Sequence, residues 1–261
     1  MPFAEVRGQR IYFEDTGGDG PVVQLAHGFL MDSSMFAAQV KALAPDHRVI
    51  TWDARSFGRT EWDGKPFTYW DNAADGLALL DHLGVERAVI GGMSQGGFAS
   101  LRAALLAPER VRGLVLISTQ AGVDFPEVAA SYRQMMQTWL TVGAVEPLVR
   151  MVASIILGDE PHWEPWISNW RALSGEALRE AAVCLIERDD ITARLGEIPA
   201  PAIVFHGTAD RAIGLPRAEV LASGLSGCRA LVKVEGASHA ANLTHPAEVN
   251  AALRDFLKSL P

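Results

Sequence analysis

One serine in this chain stands in a setting built for nucleophilic chemistry. Ser94 is the middle of Gly92-Met93-Ser94-Gln95-Gly96, a G-x-S-x-G pattern. Before it the apolar run from Ala88 to Ile90 predicts a short buried strand. After it Leu101, Leu105 and the alanines between them predict one side of a helix. A strand that passes into a helix through so short a link must turn sharply, which strains the serine backbone and lifts its hydroxyl above the sheet. Glycine two positions before and two after is what lets neighbouring backbone come that close. A serine hydroxyl is a poor nucleophile near neutrality unless a base accepts its proton, and that base needs a third group to orient it. His239, in Gly236-Ala237-Ser238-His239, follows the last predicted strand; Asp210, in His206-Gly207-Thr208-Ala209-Asp210, follows the strand before it. Acyl transfer also needs two N–H groups facing the oxyanion that develops. The backbone amides of Gln95, at the helix start, and of Phe29, in the loop His27-Gly28-Phe29 after an earlier strand, are the candidates. Neither a metal nor an organic cofactor enters this scheme.

Each residue alone has a plainer reading, a turn serine or a turn-capping aspartate. Their convergence decides, because all three follow predicted parallel strands and so meet at one sheet edge. Ser118-Thr119-Gln120-Ala121 offers no carboxylate at the alternative place for the acid, and His245, followed by Pro246, belongs to a helix start. His206 is positioned to help hold the acid loop, and Arg55 reads as one half of an ion pair that fixes a loop.

The elements that must position these residues alternate along the chain. Glu5 to Asp15 predicts a hairpin around Arg7-Gly8, and Val22–Ala26, Val49–Trp52 and Val111–Ile117 predict strands with helices between them. Valine- and isoleucine-rich strands alternating with helices imply an α/β fold, a mostly parallel sheet covered by helices on both faces. The alternation breaks at about Gly122. From 122 to 196 the pattern is helical and holds four of the seven tryptophans. Strand–helix alternation then resumes after the stiff segment Glu197-Ile198-Pro199-Ala200-Pro201. The expected organisation is a sheet domain in two parts, 1–121 and 197–261, with a helical cap at 122–196. An insertion after a strand's carboxyl end sits over the crevice where open α/β sheets place their sites. It reads as a lid, with Trp139, Trp163 and Trp166 as candidate pocket walls.

At 261 residues, 49% apolar and 21% charged, the chain has the composition of a soluble globular protein. A formal net charge of −8 argues against nucleic acid or an anionic membrane as partner, since both reward a basic face. No signal peptide or membrane span is visible. The only cysteines, Cys184 and Cys228, show no metal-binding or disulfide spacing and read as buried thiols of a cytoplasmic protein, monomer or homodimer.

The chain resembles the α/β-hydrolases over nearly its whole length. The matching pieces are His27-Gly28-Phe29, Asp53-x-Arg55-x-x-Gly58-x-Thr60, Gly92-x-Ser94-x-Gly96-Gly97, His206-Gly207-x-x-Asp210 and Gly236-x-x-His239. Within that superfamily it is similar to capped esterases and to the 3-oxoadipate enol-lactonase type. The resemblance implies a serine hydrolase with Ser94 as nucleophile, His239 as base and Asp210 as its orienting acid. One departure is Ser56, where many members have glycine. Ser94 argues against haloalkane dehalogenase and epoxide hydrolase siblings, which need a carboxylate at the elbow. The absence of lysine between Lys65 and Lys233 argues against the hydroxynitrile lyases of this fold. The expected function is hydrolysis of a small to medium apolar or aromatic ester or lactone. The alternatives are an enol-lactonase, for which Arg133, Arg150 or Arg171 would pair with a substrate carboxylate, a C–C bond hydrolase, a cofactor-free perhydrolase, or a low-turnover receptor on the same scaffold.

Overall fold

The apolar runs that the sequence separates by helices become eight strands: β1 (Phe3–Val6), β2 (Gln9–Asp15), β3 (Val22–Ala26), β4 (Arg48–Trp52), β5 (Ala88–Met93), β6 (Val111–Ile117), β7 (Ala202–Gly207) and β8 (Cys228–Val234). The structure, a computed structural model, describes residues 2–159, 161–173 and 175–261. One sheet takes the strands in the order β1-β2-β4-β3-β5-β6-β7-β8. β1 pairs antiparallel with β2, and β2 with β4; the remaining pairings are parallel. β5 is buried along its whole length, as an uncharged run in a doubly covered sheet must be. The strand order reverses at β3, which lies between β4 and β5. That reversal opens a crevice at the carboxyl ends of the strands.

Helices α1 (Ala37–Leu43), α2 (Tyr69–His82) and α3 (Gln95–Leu106) connect the first strands. Four more, α4 (Pro126–Val142), α5 (Glu146–Ile156), α6 (Trp166–Ala172) and α7 (Gly175–Ile186), all fall between β6 and β7. α8 (Leu215–Gly224), the short α9 (Ala241–Thr244) and α10 (Pro246–Lys258) complete the chain. α2 starts where Thr68 and Asp71 cap each other reciprocally, which satisfies two otherwise orphaned amides. α10 buries Val249, Leu253, Phe256 and Leu257 on one side, the stripe its spacing predicts. Of the two free cysteines, Cys184 is buried as expected. Cys228 is only half-buried, because it opens the edge strand β8.

The helical run from α4 to α7 is fastened at several places. Trp170 Nε1 donates to Leu30 O at 2.6 Å, in the loop after β3. Ala240 N donates to Ile156 O at 2.8 Å, tying the loop after β8 to the end of α5. Arg102 of α3 donates through Nη2 to Asp189 Oδ1 at 2.6 Å and to Asp189 O at 2.8 Å, just beyond α7. The run therefore lies against loops that leave the carboxyl ends of the strands.

The loop after β4 is held by buried charges. Asp53 accepts from Ser33 N through Oδ1 and from Arg59 N through Oδ2, both at 2.8 Å. Arg55 makes a bidentate pair with the fully buried Asp75 of α2, at 2.6 and 2.9 Å. Arg55 thus fixes the loop, as its sequence setting predicts. Ser56 lies between these clamps at φ +74°, a left-handed conformation that strains any residue with a Cβ. Its hydroxyl is buried without a partner among the described residues. The clamps impose glycine's conformation on a serine. Replacing Ser56 with glycine is expected to stabilise the protein by about 1 kcal/mol. Thermal unfolding should show this as a rise in Tm of roughly 2–4 °C; an unchanged or lowered Tm would show that the loop carries no strain.

Candidate active site

At the end of β5 the chain turns through Ser94, which sits at φ 51° and ψ −113° immediately before α3. Ser94 N donates to Ile117 O at 2.8 Å, and Ser94 O accepts from Thr119 Oγ1 at 2.8 Å. The strained residue is therefore locked to the end of β6 through its backbone. Its hydroxyl makes no hydrogen bond among the described residues. The close approach that the turn requires is visible at Gly96, where an added Cβ would lie 1.9 Å from Ala26 O of β3. At Gly92 it would lie 2.4 Å from the same oxygen. Both contacts are with backbone, which cannot step aside, so the two glycines are steric necessities.

Gln95 opens α3, where the first amides have no partner within the helix. Among the described residues, neither the Gln95 nor the Phe29 backbone amide makes a hydrogen bond. The His27 side chain shapes the loop that carries Phe29. His27 is buried, donates from Nδ1 to Gly28 O at 2.8 Å and accepts at Nε2 from Ala54 N at 2.9 Å. The carbonyl and the amide of one trans peptide point in opposite directions. Pinning Gly28 O on the ring therefore aims Phe29 N–H away from it.

The second half of the site follows β7 and β8. His239 Nδ1 lies 2.8 Å from Asp210 Oδ2, which leaves Nε2 as the free ring nitrogen. The other carboxylate oxygen, Oδ1, accepts from Ala212 N at 2.8 Å and Ile213 N at 3.0 Å. Burial by itself raises the Asp210 pKa. His239 and the Ile213 amide outweigh it, and the carboxyl is held below its ordinary value of 3.8. Asp210 is therefore charged wherever the imidazole needs orienting. His206 Nε2 donates to Ile213 O at 2.8 Å, which closes the acid loop as its sequence position suggests. Burial holds His206 below the ordinary imidazole value. His245 bonds Thr244 Oγ1 at 2.9 Å at the start of α10, away from Ser94.

Ser94, His239 and Phe29 line one cavity. Its remaining walls are apolar side chains, chiefly Leu30, Phe98, Met135, Val152 and Ile156, interrupted on one side by Gln120, Asp124, Tyr132 and Arg188. The tryptophans do not form these walls. Trp139 and Trp166 are buried within the helical run, and Trp163 donates from Nε1 to Gly158 O at 2.8 Å. Large aromatic surface was used for packing helices together. Nor do the arginines named from the sequence reach the cavity. Arg150 and Arg171 both pair with Glu146 at the surface, and Arg133 is exposed. Among the described residues, no three His, Cys, Asp or Glu side chains group as a metal site, and no helix is long and apolar enough to cross a membrane.

Comparison with known proteins agrees with this architecture. A family model described as the alpha/beta hydrolase fold matches residues 21–155. The chain is 29% identical to a pimeloyl-[acyl-carrier protein] methyl ester esterase of Xanthomonas oryzae pv. oryzae, covering 95% of this chain and 99% of that one. Among solved structures, the enol-lactonase from Burkholderia xenovorans superposes with a TM-score of 0.91 at 26% identity, covering 99% of this chain and 100% of that chain. A thermophilic esterase from Thermogutta terrifontis superposes with a TM-score of 0.88 at 27% identity, covering 98% and 96%. With the family model spanning the strands and the elbow that carry Phe29 and Ser94, the chain belongs to the α/β-hydrolase fold family.

Proposed function

We propose that this chain hydrolyses carboxylic esters or lactones through an acyl-serine intermediate at Ser94. The observation that carries the reading is one shared cavity, lined by a serine in a strained turn and by a histidine whose other nitrogen is held by a buried carboxylate. The Ser94 hydroxyl attacks the substrate carbonyl while His239 Nε2 takes its proton. Asp210 keeps His239 in the tautomer that can accept, and stabilises the imidazolium that results. The Gln95 and Phe29 amides hold the oxyanion, charge that exists only after attack has begun. His239 then delivers its proton to the departing alcohol, and a water activated by the same nitrogen frees the acyl group. Residues 122–196 serve as a lid. Support for this comes from α4, α5 and α7, which supply cavity walls such as Tyr132, Val152 and Leu185. An apolar acyl chain of modest size suits the lining.

Hydrolysis of a p-nitrophenyl alkanoate series tests the reading. Ser94→Ala should lose on the order of 10⁴-fold or more in kcat, and Asp210→Asn a loss of similar order; turnover surviving in Ser94→Ala would remove that residue from the mechanism. The depressed Asp210 pKa also has a stability consequence. An acid whose folded pKa is lowered contributes stability above its unfolded value, and loses it as pH falls through the folded one. The difference in Tm between wild type and Asp210→Asn should therefore be full above about pH 4 and shrink as the pH falls further. A difference that stayed constant or grew in acid would mean that the carboxylate is not held in the folded state.

A further inference from the structure

The polar side of the cavity is unfinished, and its unfinished groups have a definite chemistry. Asp124 is fully engaged: Oδ1 accepts from Gln120 Nε2 and Oδ2 from Arg188 Nη1, both at 2.9 Å. Arg188 also donates from Nη1 to Leu185 O at 2.6 Å and from Nε to Gly122 O at 3.3 Å. What remains is one donor, Arg188 Nη2, and one acceptor, Gln120 Oε1, both buried and without a partner among the described residues. The residues themselves are only 7% and 3% exposed, and both line the cavity that holds Ser94 and His239. The amide orientation of Gln120 follows from its neighbour, because only Nε2 can donate to the Asp124 carboxylate. Buried polar groups are ordinarily satisfied, so an orphan donor and an orphan acceptor on two cavity-lining residues held by one carboxylate call for a ligand group.

Charge decides which kind. The Arg188 guanidinium already has its counter-ion in Asp124, which lines the same cavity. A substrate carboxylate would face the Asp124 carboxylate and an arginine already neutralised by it. The phenol of Tyr132, on the same wall, senses that balance. Burial and then Asp124 push its pKa up to about 12, with Asp124 outweighing Arg188 and Asp210 adding to it.

Resting on the hydrolase reading above, we infer that Gln120 and Arg188 form a specificity subsite for a neutral amide-type group on the substrate. Its carbonyl accepts from Arg188 Nη2 and its N–H donates to Gln120 Oε1. The substrate class is an ester or lactone that carries a carboxamide or carbamate function away from the scissile bond. Acidic substrates are disfavoured.

Three p-nitrophenyl esters with acyl chains of one length test this, ending in a carboxamide, in the isosteric carboxylate, or in the isosteric isopropyl group. Each is made in glutaryl, adipyl and pimelyl lengths. Wild type should prefer the carboxamide ester to the isopropyl ester by about tenfold or more in kcat/KM at the best length, with the carboxylate ester poorest. Gln120→Met should bring the carboxamide-to-isopropyl ratio close to unity. The ratio is internal to each variant, so a general loss of fold lowers both rates and leaves it unmoved. Calorimetric binding of the same esters to Ser94→Ala reads the subsite without turnover. Equal wild-type rates for the carboxamide and isopropyl esters would mean that a buried water fills the orphan pair. That overturns the subsite and leaves the hydrolase intact. Preference for the carboxylate ester would overturn it in favour of an anion clamp. If wild type turns over none of the esters but Ser94→Ala binds the carboxamide ester about tenfold tighter than the isopropyl ester, the subsite stands and the hydrolase reading falls. Absence of both turnover and binding preference overturns both.

Discussion

The contact on which the site depends is the approach of the α3 start to the end of β3. A Cβ at Gly96 would lie 1.9 Å from Ala26 O, so the helix begins in direct backbone contact with the neighbouring strand. Nothing but glycine permits that distance, and without it the turn at Ser94 could not close at φ 51°. The same contact places the first turn of α3, with the Gln95 amide, beside the loop that leaves β3 and carries Phe29. One steric fact thus presents the serine and gathers the two amides near it. The strain at Ser94 persists because the bonds from Ser94 N to Ile117 O and from Thr119 Oγ1 to Ser94 O leave the turn no other geometry.

Around that contact, histidines hold backbone as much as they do chemistry. His27 and His206 are both buried, and each donates to a carbonyl, Gly28 O and Ile213 O respectively. The first bond fixes the peptide that carries the Phe29 amide. The second closes the loop whose Ala212 and Ile213 amides grip Asp210. Asp210 can be buried and charged together because those donors and His239 offset its lost hydration. In the proposed mechanism the working histidine is His239, which a carboxylate rather than a carbonyl holds.

The strand and helix order was legible because each element's apolar period matches its secondary structure, and the residues after β5, β7 and β8 carry short motifs. Ser56 was legible as a departure, and its positive φ gives that departure a physical meaning. The cavity wall was not legible. Tryptophan content marked the helical run as aromatic, but Trp139 and Trp166 fill the space between helices and Trp170 anchors the run to Leu30 O. Composition cannot tell a packed ring from a lining one, since both are buried. Gln120, Asp124 and Arg188 escaped notice for another reason. Arg188 lies 64 residues beyond Asp124 in sequence, so no local spacing joins them. The available signal was an acid, Asp124, where the chain leaves β6 and an arginine, Arg188, just after α7.

Those positions give the polar wall a second role. Asp124 and Gly122 stand where the chain leaves the sheet for the helical run, and Arg188 stands where it comes back. Arg188 meets both, and Ile191 N donates to Ala121 O at 3.1 Å beside them. The two ends of the excursion are therefore zipped together at its base, which fixes the ends of a long loop and leaves its helices to pack over the crevice. The guanidinium that joins the ends also stacks on Phe98 of α3, 4.6 Å from the ring centroid. A side chain held from the departing strand, the returning chain and the elbow helix cannot drift, and whatever hydrogen-bonding capacity it has left is presented in a fixed place. The ion pair that lines the cavity thus also helps to close the base of the helical run. A change that loosened the clasp would also blur the wall, because Asp124 holds both Gln120 and Arg188.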